Sequence, residues 1–173
     1  SHIGGLNVTG VAPYKMKARD GEKEAAWILD IGGINVQTNQ SIGKDQDISW
    51  QTLENEYDAI FIGFGLGADS RLTAQGESLD GVWGAVDFIE QFKLSQIDLS
   101  QVKHATVVGG GNTAIDAVRE LKGLGVPQVS LVYRRDEASM SGYIHEWKAA
   151  KVEGVSAYWR TQPLAFEGND GKV

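Results

Sequence analysis

Hydrophobic and polar residues alternate along the first half of the chain with two periods, which predict both helices and strands. Residues 18–31, ARDGEKEAAWILDI, begin with charged positions and end with apolar ones before two glycines, which predicts a helix. Residues 34–38, INVQT, alternate as a strand does, and residues 48–56, ISWQTLENE, predict a short helix. Residues 59–62, AIFI, are apolar throughout, which is typical of a buried parallel strand covered on both faces.

The second half of the chain continues the alternation around a glycine turn. Residues 68–81 are polar and irregular and mark the best candidate for a domain boundary, and residues 84–92, GAVDFIEQF, predict an amphipathic helix. The remaining pattern predicts, in order, a strand, a helix, a strand, a loop with a helix, and a strand: residues 104–108, 114–125, 128–133, 138–154 and 155–160. Strands that alternate with helices predict an α/β fold with a Rossmann-like parallel sheet and flanking helices.

The six residues between the strand at 104–108 and the next helix fit the pattern G-x-G-x-x-A: Gly109, Gly110, Gly111, Asn112, Thr113 and Ala114. Gly109 permits a tight turn, Gly111 leaves space for a pyrophosphate, and Ala114 lets helix and strand pack closely. The helix start offers free N–H groups and a positive dipole end to phosphates. A plain glycine turn would match the letters alone, but the flanking strands and helix favour a dinucleotide site.

Two adjacent arginines, Arg134 and Arg135, follow the second strand of this unit. At that point of a dinucleotide-binding unit, an arginine accommodates the 2′-phosphate of NADP, whereas an acidic residue binds the 2′-hydroxyl of NAD. The arginines favour NADP, because a guanidinium binds phosphate through two hydrogen bonds. Asp136 keeps NAD open, and a solvated basic pair bridged to Asp136 and Glu137 is the alternative without a ligand.

Length, charge and cysteine count exclude several classes of function but do not identify one. The chain has 173 residues, 42% of them hydrophobic, enough for one domain or two small ones. Its net charge of −7 argues against binding to nucleic acid or to an anionic membrane. Because the chain has no cysteine, disulfides and metal–thiolate or iron–sulfur ligation within these residues are excluded, and redox chemistry would need a bound cofactor. The three isolated histidines predict no metal site, and we expect a cytoplasmic protein.

A family resemblance rests on residues 107–155, which contain the G-x-G-x-x-A turn, a strand ending in Y-R-R, a loop with Met140 and a helix with Glu146. These residues resemble the pyridine-nucleotide domain of the glutamate synthase small-subunit family of flavoproteins. That family includes the FAD- and NAD(P)-binding part of dihydropyrimidine dehydrogenase. The resemblance implies that Glu146 faces the nicotinamide, although a solvated helix position fits equally well.

The first part of the chain resembles the same family. Residues 4–16, GGLNVTGVAPYKM, are similar to the segment that passes the flavin ring, and residues 56–89 to the stretch where the chain leaves the FAD domain. The resemblance therefore implies five residues of the FAD site: Gly4, Gly5 and Leu6 would contact the flavin, and Gly63 and Gly65 would lie near FAD where the chain crosses between the domains. Many members have G-I-P where this chain has Gly10-Val11-Ala12, which leans towards the NAD-linked dihydropyrimidine dehydrogenase subunit.

The resemblance also implies how the chain is divided. Residues 1–66 would be a fragment of an FAD-binding domain and residues 67–173 an NAD(P)-binding domain truncated at its end, because the first G-x-G-x-x-G and the closing segment of the family are not found. The whole enzyme would pass electrons from NAD(P)H through FAD to an iron–sulfur partner subunit or domain, with the fragment alone inactive. The alternatives are the dihydropyrimidine dehydrogenase NAD-binding subunit and a nucleotide-binding module without turnover.

Overall fold

The computed structural model describes residues 2–65, 67 and 69–173. Its helices are α1 Leu6–Thr9, α2 Ala18–Leu29, α3 Trp50–Glu56, α4 Ala85–Lys93, α5 Asn112–Gly123 and α6 Ile144–Val152. Its strands are β1 His104–Val108, β2 Gln128–Tyr133 and β3 Ser156–Trp159, and a 3₁₀ helix spans Glu137–Ser139. The described residues contain no helix that is both long enough and apolar enough to cross a membrane.

The three strands form one parallel sheet in the order β1-β2-β3. Val108 pairs with Val132 at the end of the first ladder, and Tyr133 pairs with Trp159 at the end of the second. Helices α5 and α6 connect successive strands, as parallel pairing requires, because the chain must return to the opposite end of the sheet before each new strand. The predicted α/β class with a parallel sheet is confirmed.

The hydrophobic core lies within this second half of the chain. Helix α5 places Ile115, Val118 and Leu121 on one face, at the spacing of one helical stripe, and all three are buried. They pack with buried residues of β2, including Leu131, and with Trp147 of α6. Full burial of side chains of this size stabilises the fold by about 1.5–3 kcal/mol each.

The helices predicted in the first half are confirmed, with ends that the local residues explain. Helix α2 is followed by Gly32 and Gly33, whose φ angles of 86° and 73° stop helical propagation. Helix α3 begins after Ser49, whose hydroxyl accepts a hydrogen bond from the Thr52 amide at 3.1 Å.

The two strands predicted at residues 34–38 and 59–62 are wrong. Both runs are irregular in the structure, and Phe61 is 95% and Ile62 58% exposed. Residues 34–38 do alternate and residues 59–62 are apolar throughout, but a strand forms only where a neighbouring strand pairs with its backbone through hydrogen bonds. Among the described residues no strand lies beside either run, so the backbone of both runs stays irregular and their apolar side chains remain exposed.

The N-terminal segment packs against the second half through a few specific contacts. Val8 and Ala12 are fully buried, and the Lys93 ammonium of α4 donates to the carbonyls of Asn7 at 2.8 Å and Val11 at 2.7 Å. Desolvation of Lys93 lowers its pKa. These hydrogen bonds hold the segment against α4.

Candidate functional site

The candidate site begins where β1 ends. Gly109 has a φ of 147°, a conformation that favours glycine, and its amide donates to the Val132 carbonyl of β2 at 3.0 Å. A Cβ added to Gly109 would lie 3.1 Å from the Cβ of Ala114. The close approach between turn and helix that the motif predicted is therefore present, and it needs small residues at both positions.

Gly110 is fixed by an aromatic ring that the sequence did not connect to it. A Cβ at Gly110 would lie only 2.6 Å from Cε2 of Tyr133, the last residue of β2. Tyr133 is itself buried, and its hydroxyl donates to the Ser139 carbonyl at 2.9 Å. The ring therefore cannot move easily, and the middle glycine of the turn is required by packing.

Gly111 precedes α5 and supplies no side-chain cap to it. Within the described part of the chain the amides of Asn112, Thr113 and Ala114 have no acceptor. A Cβ at Gly111 would meet only the Ser141 hydroxyl, at 3.7 Å, so space remains in front of the helix start. Three free N–H groups at the positive end of a twelve-residue helix can bind an anion.

A loop at residues 141–143 borders this helix start. The contact between the loop and the helix was not predicted from the sequence. The Gly142 amide donates to the Gly110 carbonyl at 3.1 Å, and the Tyr143 amide donates to Oδ1 of Asn112 at 2.8 Å. A Cβ at Gly142 would come within 2.4 Å of Cδ1 of Ile115. Asn112 thus holds the loop with its side chain. The only sequence signal was a glycine in the predicted loop.

Both arginines after β2 are exposed. Arg134 lines a groove of about 380 Å³ together with Gly109 and residues 161–163, at the carboxyl edge of the sheet. The Arg135 guanidinium lies 5.5 Å from the centroid of the Tyr133 ring, which packs against the glycine turn. In the part of the chain that the structure describes, neither arginine forms an ion pair.

The acidic residues that follow the arginines bind other partners. Oδ1 of Asp136 accepts from the amide and the hydroxyl of Ser139, at 3.1 and 2.6 Å, which lowers the pKa of this carboxyl. Glu137 pairs with Lys151 and accepts from the Trp147 indole at 2.9 Å, and the Lys151 hydrogen bond in particular lowers its pKa. A salt-bridged pair with Asp136 and Glu137, which the sequence left open, is therefore not formed.

The residues for which the resemblance implied FAD contacts lie in two other places. Gly4 and Gly5 directly precede α1, which begins at Leu6, and Leu6 is 62% exposed. Gly63 and Gly65 lie in the unpaired run that follows α3, and both are exposed. The structure thus leaves all five accessible, in segments separate from the glycine turn.

A charged network that no sequence pattern predicted links the N-terminal segment to α5 and α6. The Lys15 ammonium lies 2.7 Å from Asp116 and 2.7 Å from Glu146, and the Tyr14 hydroxyl donates to Asp116 at 2.5 Å. Burial acts to lower the Lys15 pKa, but its hydrogen bonds to both carboxylates outweigh burial and raise it. Glu146 is therefore not a solvated helix residue. Its second oxygen, Oε2, is buried and without a partner in the described residues.

A parallel β-α-β unit with a glycine turn before its first helix defines a Rossmann-like α/β domain. The family model for pyridine nucleotide-disulphide oxidoreductases matches residues 8–173. The chain belongs to this family.

Curated relatives cover nearly the whole chain. It is 34% identical to the NADP(+)-dependent formate dehydrogenase subunit beta of Moorella thermoacetica, over 98% of this chain and 24% of that protein. It is 33% identical to the Glutamate synthase [NADPH] small chain of Escherichia coli, over 99% of this chain and 38% of that one. A dihydropyrimidine dehydrogenase subunit PreT homolog of Salmonella typhi is 29% identical, over 96% of this chain and 39% of its own length. The chain thus spans about a quarter to two fifths of these relatives.

A solved structure supports the fold. FprA of Mycobacterium tuberculosis in complex with NADPH superposes with a TM-score of 0.62 at 24% identity, covering 87% of this chain and 38% of that one. The resemblance to the glutamate synthase small-subunit family that the sequence predicted is confirmed by the family match and by these relatives.

Proposed function

We propose that this chain is part of an FAD-dependent NAD(P)H oxidoreductase and that it binds NADP(H) at the glycine turn. The observation that carries the proposal is the set of three free amides at the start of α5, behind a turn that admits no side chain at Gly110. The pyrophosphate would bind these amides, where the helix dipole favours negative charge. The open space in front of Gly111 fits such a group.

The two arginines supply the second part of the proposal. Arg134 and Arg135 lie beyond the end of β2, and among the residues that the structure describes no carboxylate forms an ion pair with either of them. Asp136, which would have to accept the 2′-hydroxyl of NAD, already accepts two hydrogen bonds from Ser139 on Oδ1. NADP(H) is therefore the favoured cofactor, and NAD(H) is the second candidate, because Val11-Ala12 departs from the G-I-P of many family members.

FAD would be bound by the N-terminal part of the protein. In this proposal residues 1–66 belong to an FAD-binding domain and residues 67–173 to the NAD(P)-binding domain. Gly4, Gly5 and Leu6 would contact the flavin, and Gly63 and Gly65 would lie near FAD. The exposure of all five residues fits this role. The exposed run at residues 57–64 would become a strand once neighbouring strands of that domain accept its backbone. FAD supplies the hydride acceptor, while the protein contributes orientation and electrostatics.

The whole enzyme would pass electrons from NAD(P)H through FAD to an iron–sulfur partner subunit or domain in the cytoplasm. The relatives include proteins named as a glutamate synthase small chain and as a dihydropyrimidine dehydrogenase subunit homolog. Glutamate synthesis and pyrimidine reduction are therefore both compatible with this electron path. No side chain of this chain needs to act as acid, base or nucleophile.

The test is a calorimetric titration of the chain with NADPH and with NADH at low salt. We expect tighter binding of NADPH, and the double variant Arg134→Ala/Arg135→Ala should lose about 1–3 kcal/mol of that binding, as expected for charge-assisted contacts. The control is Lys17→Ala/Arg19→Ala, which removes the same charge at exposed positions of the N-terminal half. Equal affinity for both nucleotides, or an equal loss in the control, would refute the NADP site.

A nucleotide-binding module without turnover is the competing function. A longer chain that includes the complete FAD domain should reduce an artificial dye with NAD(P)H. If that protein binds flavin and still fails to reduce the dye, the oxidoreductase proposal is wrong and the module remains.

A further inference from the structure

A third arginine lies beside the pair, on the neighbouring strand. Tyr133 of β2 pairs with Trp159 of β3 in parallel register, so Arg160 follows its strand where Arg134 follows the other. The Arg160 amide donates to the Arg135 carbonyl at 3.0 Å, which extends the pairing past the ends of both strands. Sequence spacing alone, with 24 residues between the two positions, did not connect them.

The backbone at Arg160 is held in an uncommon conformation. Its φ is 54°, in the left-handed region that side chains other than glycine rarely adopt. The Thr161 amide next to it donates to the Tyr133 carbonyl at 3.1 Å, and Thr161 lines the same groove as Arg134. The chain therefore turns at Arg160 directly over the end of β2.

The Arg160 side chain remains free to bind a ligand. It is 79% exposed, and its guanidinium lies 3.6 Å from Oδ2 of Asp136, a long contact on the side of the carboxylate that Ser139 does not use. An exposed pair at this distance contributes little to stability. In the described residues this long contact is the ion pair that Asp136 makes, and neither Arg134 nor Arg135 is paired with it.

We infer that Arg160 is a specificity-determining residue that, with Arg134 and Arg135, binds the 2′-phosphate of NADP(H). The inference rests on the proposed nucleotide site. A phosphate monoester carries up to two negative charges and three acceptor oxygens at neutral pH, more than one guanidinium can satisfy. Three arginines from two adjacent strand ends can share that charge, whereas NADH offers a neutral hydroxyl at the same place. The effect should therefore appear as discrimination between the two nucleotides.

The test uses 2′,5′-ADP and 5′-AMP as probes, because they differ only in the 2′-phosphate. Arg160→Ala should weaken 2′,5′-ADP and NADPH binding about 10-fold and leave 5′-AMP and NADH unchanged, and Arg160→Lys should recover part of the loss. The matched control is Arg19→Ala, since Arg19 is 69% exposed and lies at a similar distance, 3.7 Å, from its own neighbouring carboxylate, Asp20.

Each result separates this inference from the proposed function. If the unaltered chain prefers 2′,5′-ADP and Arg160→Ala keeps the same preference, Arg160 has no role in specificity and the nucleotide site stands. If Arg160→Ala weakens all four ligands equally, the residue acts on the fold of the site and the inference is wrong. If the unaltered chain binds none of them, both proposals fail.

Discussion

Replacing Lys15 by methionine tests how the N-terminal segment is held against helices α5 and α6. Lys15 bridges Asp116 and Glu146, whose side chains are only 13% and 11% exposed. Methionine keeps much of the apolar stem but leaves the two carboxylates facing each other without a cation. The Lys15→Met chain should therefore unfold more easily.

The loss of unfolding free energy on replacing Lys15 depends on how deeply the ion pairs are buried. Removing one partner of a fully buried pair costs about 3–5 kcal/mol, and removing one from an exposed pair costs about 0.2–1 kcal/mol. Lys15 itself is 28% exposed, which places this network between the two cases, near 2 kcal/mol by those limits. For a chain of this length, that loss lowers the melting temperature by about 4–8 °C.

The assay is thermal unfolding followed by circular dichroism at pH 7, with Lys17→Met as a control at an exposed position two residues away. Because the Lys15 pKa is raised, its stabilisation is complete at neutral pH and is lost only as the pH rises past that raised value. Adding Glu146→Gln to Lys15→Met should recover part of the melting temperature by removing the repulsion. A melting temperature equal to that of the control would refute the reasoning.

Two further predictions concern α5 and its turn. Gly110→Ala places a Cβ 2.6 Å from the Tyr133 ring, so it should destabilise the fold by about 1–3 kcal/mol through overpacking and weaken NADPH binding. Gly123→Ala, which meets no atom within 4 Å, is its control in chemical denaturation and calorimetry, and equal effects of the two changes would contradict the packing argument. The Glu120 carboxyl is buried, and burial raises its pKa, so its ionised form weakens the fold above that pKa and the penalty disappears as the pH falls. Glu120→Gln should accordingly raise the melting temperature at about pH 8 and have little effect at about pH 3, below the ordinary glutamate pKa, where the carboxyl is largely protonated in both the folded and the unfolded state. Lower stability of the variant at the higher pH would disprove this.

The sequence predicted the second half of the fold well because local and tertiary preferences agree there. The strand at HATVV is followed by a glycine turn and by a helix whose apolar stripe covers the sheet, so each element finds its partner within the chain. At residues 59–62 the same kind of reasoning failed. Apolar letters specify a strand only when neighbouring strands are available, and Phe61 has none among the described residues.

The sequence predicted only those parts of the candidate site that lie within a single β-α-β unit. The turn from Gly109 to Ala114 and the arginine pair follow from spacing within a single β-α-β unit. The Arg160 position depends on the register of a second strand pair, and the loop contact at Gly142 on a hydrogen bond across 32 positions of sequence. The Lys15 network joins residues more than a hundred positions apart, and no periodicity reports such a contact.

The confinement of the core has a consequence for how such proteins are assembled in evolution. The described core cluster runs from Phe88 to Val155 and draws on no residue before α4. A stretch of chain that buries its own apolar stripe can be copied into a new gene as a single cassette, since its core is built from its own residues. The recipient then has to evolve only the surface contacts, such as the carbonyls that accept from Lys93. Recombination at the irregular stretch before α4 would thus join the same β-α-β unit to different neighbouring domains.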